Sequence, residues 1–269
     1  MIFLYILLSL LLLLIVLYLF AIMPSLQTQL TKKFKYVQFA HRGLHGNGVP
    51  ENSMQAFSLA VEQGLGIEFD IHLTKDNQVV IIHDNDTQRV CGKKLLVEES
   101  TYEELCTLSL ENTDEKIPLL TDLLKLVNGK VPLLVELKSN AMETKLCPFA
   151  AEILGKYTGE YCIESFNTFI VAWYRKHRKH IVRGQLSTKT KTIGGDCFKD
   201  KLFGFVLTNL LGNFIAKPNF IAYDYNYISN LSVQICKYLF RTPIFVWTLK
   251  GEKEQKAAQG KFFGYIFEQ

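Results

Sequence analysis

Two histidines, three carboxylates and two cationic side chains carry the chemistry this sequence can do. His41-Arg42-Gly43 closes a short apolar run, and Glu68-Phe69-Asp70 lies inside a second. His83-Asp84 closes a third, and Glu136-Leu137-Lys138 lies in a fourth. In an extended strand residues i and i+2 share a face, so Glu68 and Asp70 point together, as do Glu136 and Lys138. Three carboxylates brought together repel one another unless a cation lies among them. Carboxylate oxygens are hard ligands and suit Mg2+ or Ca2+ better than zinc. Salt bridges to Arg42 and Lys138 are the other resolution, and spacing alone leaves both open. A histidine pKa near neutrality suits both halves of a phosphodiester cleavage. One imidazole takes a proton from the attacking oxygen and the other gives one to the departing oxygen. Arg42 and a nearby metal would offset the charge on the phosphate.

These residues need a scaffold that gathers strand ends. From Tyr36 onward, short β-branched or aromatic runs alternate with helical stretches. The strand-like runs are Tyr36–Ala40, Gly66–Leu73, Val79–Ile82, Leu133–Leu137, Tyr161–Ser165, Ile181–Leu186, Phe220–Tyr223, Ile244–Thr248 and Phe263–Phe267. Ser53–Gln63, Leu119–Val127, Glu143–Leu154, Thr168–Tyr174 and Ser229–Leu239 have helical spacing. Repeated strand-then-helix units imply a parallel sheet covered by helices. With Val79–Ile82 set aside as an extra strand in a loop, eight units remain. That predicts a (β/α)8 TIM barrel, whose active sites form at the C-terminal ends of the strands. No glycine-rich phosphate-binding turn follows the first strand, which weakens an open doubly wound sheet.

The N-terminus reads differently. Ile2 to Met23 carries no charged residue and, as a helix, spans roughly 33 Å, enough for a ~30 Å hydrocarbon core. No Lys or Arg precedes the run, and Ala21-Ile22-Met23-Pro24 makes a poor cleavage site, so a transmembrane anchor is expected over a signal peptide. Lys32, Lys33 and Lys35 follow it, which by the positive-inside rule places the body in the cytoplasm. The expected division is residues 1–24 as anchor, 25–36 as a basic juxtamembrane linker and 37–269 as the barrel. Six cysteines without CxxC or Cys/His zinc spacing read as reduced thiols. A net charge of +4 from 30 basic and 26 acidic residues is too mild to imply nucleic acid. The run Arg175-Lys176-His177-Arg178-Lys179-His180 reads as a solvated helix end, with attraction to anionic headgroups as the functional alternative.

The segment from His41 to Asp84 closely resembles the glycerophosphodiester phosphodiesterase family. Its pieces are His41-Arg42-Gly43, Pro50-Glu51-Asn52, Ile67-Glu68-Phe69-Asp70, Thr74-Lys75-Asp76 and Val80-Ile81-Ile82-His83-Asp84. Glu136-Leu137-Lys138 matches the family's ExK strand, and Ser165-Phe166, Trp247-Thr248 and Phe267-Glu268 are weaker echoes. Asn77 stands where the family usually has Gly, and Gly66 where many members have an acid. The resemblance implies a TIM barrel that hydrolyses glycerophosphodiesters to an alcohol and glycerol phosphate. It implies His41 and His83 as the acid/base pair, and Glu68, Asp70 and Glu136 as ligands of Mg2+ or Ca2+. It places Arg42 and Lys138 against the phosphate and Trp247 in the pocket. Glu51 and Asn52 fall at the mouth, supporting the metal side. His72 is expected to line or pack the barrel and His45 to sit on a loop. Lysophospholipase D-type hydrolysis at the same site is the rival activity. A non-catalytic membrane scaffold is disfavoured because no catalytic position is lost. A metal-free cyclic-phosphate lyase is disfavoured by the acidic trio.

Overall fold

The computed structural model describes residues 1–27, 29–139, 142–189 and 198–269. Its strands are β1 (Gln38–Ala40), β2 (Gly66–Leu73), β3 (Val79–Ile81), β4 (Leu133–Leu137), β5 (Tyr161–Ser165), β6 (Val182–Ser187), β7 (Phe220–Asp224), β8 (Ile244–Lys250) and β9 (Gly264–Glu268). Its helices are α1 (Ile2–Ile22), α2 (Met54–Glu62), α3 (Gln88–Cys91), α4 (Tyr102–Cys106), α5 (Leu120–Val127), α6 (Leu146–Leu154), α7 (Thr168–His177), α8 (Phe198–Thr208), α9 (Asn213–Ala216), α10 (Leu231–Tyr238) and α11 (Gly251–Ala258).

All strands but β3 pair in parallel, in the order β1-β9-β8-β7-β6-β5-β4-β2, and a β1–β2 pairing closes the ring. β3 pairs antiparallel with the upper half of β2, Ile71 opposite Ile81, and stays outside the barrel as expected. Strands buried on both faces explain the near-continuous apolar runs. Alternate residues such as Ile67, Phe69 and Ile71 of β2 pack against the surrounding helices, while Leu134, Cys162, Phe220 and Phe245 fill the interior.

The interior floor is aromatic. Phe245 meets Phe220 edge-on at 4.8 Å and Phe39 at 5.9 Å between ring centroids. Glycine makes room for these rings: a Cβ on Gly184 would stand 2.1 Å from Phe220, and one on Gly264 2.2 Å from Phe245. Phe34 is fully buried in the same cluster and stoppers the N-terminal end of the barrel.

Local signals set several boundaries. Ser53 caps α2 by accepting a hydrogen bond from Ala56 N at 3.1 Å, and Asn167 caps α7 by accepting one from Phe169 N at 2.9 Å. Asn77 takes φ +62° in the turn after Thr74, the conformation a glycine would otherwise supply. β1 starts two residues later than expected because Tyr36 sits at φ +66°, turning the chain out of the floor. Helices α3, α4, α8, α9 and α11 were not expected; each is short or poorly periodic. The described cysteines Cys91, Cys106, Cys147, Cys162 and Cys236 are free thiols, and Cys197 lies outside the described residues.

The expected juxtamembrane linker, 25–36, packs against the barrel. Ser25 N donates to Pro218 O at 2.8 Å, and Asn219 Nδ2 to Gln27 O at 3.3 Å. Gln29–Phe34 forms a 3-10 turn whose Lys33 pairs with Glu160 and whose Phe34 enters the core. An aromatic residue beside an open barrel end is drawn in by burial, which outweighs the basic character of the segment. Phe34→Ala is expected to cost about 3–5 kcal/mol of unfolding free energy. The denaturant midpoint of the detergent-solubilised full chain checks this. A loss below about 1 kcal/mol would show that the ring does not close the floor.

Candidate active site

Above the aromatic floor the interior turns polar. Asp70, Glu136 and Glu164 occupy matched register positions on β2, β4 and β5, and Glu68 lies one step below Asp70. All four are buried. Oxygens of Glu68, Asp70 and Glu136 approach within 4.8 Å of one another, so the three can hold a metal ion between them.

Both resolutions of this charge are visible. Lys138 Nζ lies 3.0 Å from Asp70 Oδ1 and 2.8 Å from Glu136 Oε1, and Arg42 Nε lies 3.5 Å from Asp70 Oδ2. Yet among the described residues four buried carboxylates face these two half-buried cations, and Glu164 Oε2 has no hydrogen-bond partner. Burial and the neighbouring carboxylates push the Glu68 and Glu164 pKa values well up. Burial pushes Glu136 up to about 7 against the pull of Lys138. Burial would also raise Asp70, but Lys138, His83 and Arg42 outweigh it and hold Asp70 far below the usual carboxylate range. An all-oxygen set with such reluctance to ionise fits a hard divalent cation, which would relieve the repulsion directly.

The histidines flank this cluster on one cavity of about 610 Å³, which Arg42, Lys138, Phe166 and Trp247 also line. His41 Nδ1 lies 2.7 Å from Glu268 Oε1, and His83 Nδ1 lies 2.6 Å from Asp84 Oδ1. Donation of each Nδ1–H to its carboxylate leaves Nε2 to exchange protons. His41 Nε2 points back toward Glu68, 3.9 Å from Oε2. The His41 bond, ahead of the cost of burial, holds the Glu268 carboxyl down at about 2. Burial lowers the His83 pKa, with Asp70 opposing.

Backbone conformation aims these groups. Arg42 takes φ +55°, turning its N–H onto Glu68 Oε2 at 3.0 Å. Asn52, at φ +54°, donates from its own N–H to Arg42 O at 2.9 Å and from Nδ2 to Asp70 Oδ2 at 3.0 Å. Left-handed backbone at non-glycine residues concentrates at functional sites, where surrounding contacts enforce it. Glu51 accepts from Arg42 Nη1 at 2.9 Å and from both terminal nitrogens of Arg89, at 2.8 and 2.7 Å. Burial would raise the Glu51 pKa, but the two arginines outweigh it and hold it low. Arg89 Nε then reaches Asp84 Oδ2 at 2.6 Å, so one chain of contacts runs from His83 through Asp84, Arg89 and Glu51 to Arg42.

Of the predicted site residues, His41, Arg42, Glu68, His83, Glu136, Lys138 and Trp247 line this cavity, and Glu51, Asn52 and Asp70 contact them from behind. His72 is buried with Nε2 3.2 Å from His83 O, and burial lowers its pKa to about 4. That is a packing role. His45 is more than a loop residue, because it clusters with His41 and Glu268. Sequence reasoning missed Arg89, which carries no motif, and Glu164, which precedes the Ser165-Phe166 echo. It left Asp84 and Glu268 without roles, although both lie in matched motifs.

The glycerophosphoryl diester phosphodiesterase family profile matches residues 41–194. This chain belongs to that family. It is a phosphoric diester hydrolase, with glycerophosphodiester phosphodiesterase activity. A glycerophosphodiester phosphodiesterase of Caldanaerobacter subterraneus subsp. tengcongensis is 35% identical over 166 residues, 56% of this chain and 67% of that protein. The lysophospholipase D GDPD1 of Rattus norvegicus is 33% identical over 152 residues, 51% of this chain and 47% of that one. The barrel superposes on an Oleispira antarctica phosphodiesterase, solved with its product sn-glycerol-3-phosphate, at a TM-score of 0.70. That pair shares 21% identity over 87% of this chain and 94% of the other, a likeness of fold.

Removing Glu51 tests the contact chain. Glu51→Ala leaves Arg42 charged and half-encased, and is expected to cost about 3 kcal/mol, seen as a lower thermal midpoint. Glu51→Gln, which keeps hydrogen-bond acceptance, should lose less; equal midpoints for Glu51→Ala and the parent chain would refute the chain's structural role.

Proposed function

We propose that this enzyme hydrolyses glycerophosphodiesters to an alcohol and glycerol 3-phosphate, using a divalent metal and two histidines. The observation that carries the reading is the pair of histidines, each tied through Nδ1 to its own carboxylate, on either side of a buried acidic trio. Glu68, Asp70 and Glu136 would hold Mg2+ or Ca2+, which supplies positive charge against the phosphate oxygens. Arg42 and Lys138 add charge from the protein at the same place. Trp247, edge-on to Phe166 at 5.8 Å, offers an apolar wall for the glycerol carbons.

In this reading one of His41 and His83 accepts the proton of the attacking oxygen and the other protonates the leaving alcohol. Glu268 and Asp84 keep the rings oriented and stabilise whichever imidazole becomes charged. Glu51 and Asn52 act one step away by fixing Arg42 and Asp70. The attacking oxygen is water or the glycerol hydroxyl beside the phosphate; the second route leaves a cyclic phosphate that phosphorus NMR resolves. α1 anchors the chain in the cell membrane, and the basic residues after it support a cytoplasmic barrel.

The full chain in detergent, given glycerophosphocholine or glycerophosphoethanolamine, is expected to release glycerol 3-phosphate with Mg2+ or Ca2+ and to lose that activity in EDTA. His41→Ala and His83→Ala should each lower turnover by about 100-fold or more while leaving the thermal midpoint near the parent value. Retained activity in both variants would sink the acid/base assignment.

The metal reading has a pH signature. Glu136 is raised to about 7 from an ordinary 4.5, so in the metal-free protein its ionisation opposes folding as pH rises between those values. A cation bound to the ionised carboxylate removes that penalty. The rise in thermal midpoint on adding Mg2+ or Ca2+ is therefore expected to be larger near pH 8 than near pH 5.5. A rise independent of pH would exclude Glu136 as a ligand.

A further inference from the structure

The docked end of α1 determines which way the barrel faces. Tyr18 OH and Ser232 Oγ lie 2.8 Å apart, and Ser232 is in the first turn of α10. That helix follows the C-terminal end of β7, so it starts at the active-site end of the barrel. One turn further along both helices, Asn213 Nδ2 donates to Ile22 O at 2.9 Å and Cys236 Sγ does so at 3.4 Å. Lys217 Nζ reaches Met23 O at 3.1 Å, and Ser25 N reaches Pro218 O at 2.8 Å, just ahead of the N-terminal end of β7. From Tyr18 to Ser25 the chain thus descends from mouth to floor beside α10. Traced backward from Tyr18, the rest of α1 leaves on the mouth side.

That projecting part is the membrane span. Ile2–Leu17 is exposed throughout, carries no charge, and as a helix rises about 24 Å, most of a ~30 Å hydrocarbon core. The bilayer surface then falls near Tyr18, an aromatic residue of the kind that favours membrane interfaces. Ile22, by contrast, is fully buried in the main hydrophobic core. Cleavage beyond Ile22 would take that core residue with it.

The rim at this end suits a lipid surface. α8 follows β6 at the mouth; its Phe203 lines the catalytic cavity, while its neighbours Leu202 and Phe205 are 52% and 55% exposed. Leu231, at the start of α10, is 67% exposed. Lys199 and Lys201 stand beside them on α8, a mixture that fits apolar insertion among anionic headgroups. Tyr238 and Leu239 are exposed at the far end of α10 as well, so the direction of α1, not apolar exposure alone, decides the orientation.

We infer that the barrel is held with its catalytic mouth against the bilayer that anchors it, the α8 rim lying at the headgroup layer. The site then takes amphiphilic phosphodiesters directly from the leaflet surface. The inference rests on the proposed reading of α1 as an anchor.

The test uses the full chain in vesicles whose lipids, including an anionic fraction, carry brominated acyl chains, which quench tryptophan. Leu202→Trp marks the rim, and Tyr36→Trp marks the exposed floor. The added emission of Leu202→Trp is expected to fall about twofold relative to unbrominated vesicles, and that of Tyr36→Trp to stay unchanged. Thermal midpoints near the parent value confirm that both variants fold. Failure of the parent chain to float with vesicles would remove the anchor and the inference together. Flotation with quenching at Tyr36→Trp, or at neither position, would overturn the orientation while leaving the anchor intact.

Discussion

Buried negative charge above an apolar floor is the constraint on which the rest of this structure depends. Glu68, Asp70, Glu136 and Glu164 are all held inside the barrel, with Arg42 and Lys138 as their half-buried counter-cations. An ionised carboxylate removed from water is costly unless it is paired, so each must find a cation or keep its proton. Burial raises Glu68, Glu136 and Glu164 for this reason, while Asp70, placed among the cations, stays ionised. A deficit of positive charge at one spot is what a bound divalent metal would make good.

Holding such a cluster requires a rigid support. The floor of Phe39, Phe220 and Phe245, seated against Gly184 and Gly264, packs the barrel below the charges, and Phe34 closes it from beneath. Interiors packed at this density do not deform to accommodate repulsion. The carboxylates therefore stay at their register positions and the electrostatic strain appears as shifted proton affinity. The left-handed turns at Arg42 and Asn52 belong to the same economy, because each directs an N–H or amide onto a carboxylate oxygen.

The two histidines are held by a different device, a carboxylate apiece at the rim. Glu268 comes from the last strand of the barrel and Asp84 from the loop beyond β3, so ring orientation on the two sides is set independently. On the Asp84 side the contacts continue through Arg89 and Glu51 to Arg42, linking the second histidine to a cation that faces the acidic cluster. The histidines and the buried charges thus rest on separate supports while sharing one cavity.

The sequence by itself determined the eight-unit barrel, because strands buried on both faces must be apolar and period-two spacing puts Glu68 with Asp70, and Glu136 with Lys138, on one face. Motif spacing also pointed to the histidines. It could not decide between metal and salt bridges, since that depends on how many cations reach the cluster across strands distant in the chain. Only the tertiary structure brought Glu164 level with Glu136, joined Arg89 to Glu51, and set His45 beside Glu268, contacts between residues whose separation carries no periodic signal. It likewise seated Phe34, from the expected juxtamembrane linker, in the floor of the barrel, because its burial depends on an open barrel end that exists only after the ring has closed. The direction of α1 has the same origin: hydropathy marks a helix long and apolar enough to span, but which end of the barrel it leaves from is decided by Asn213, Ser232 and Cys236 closing on its last residues.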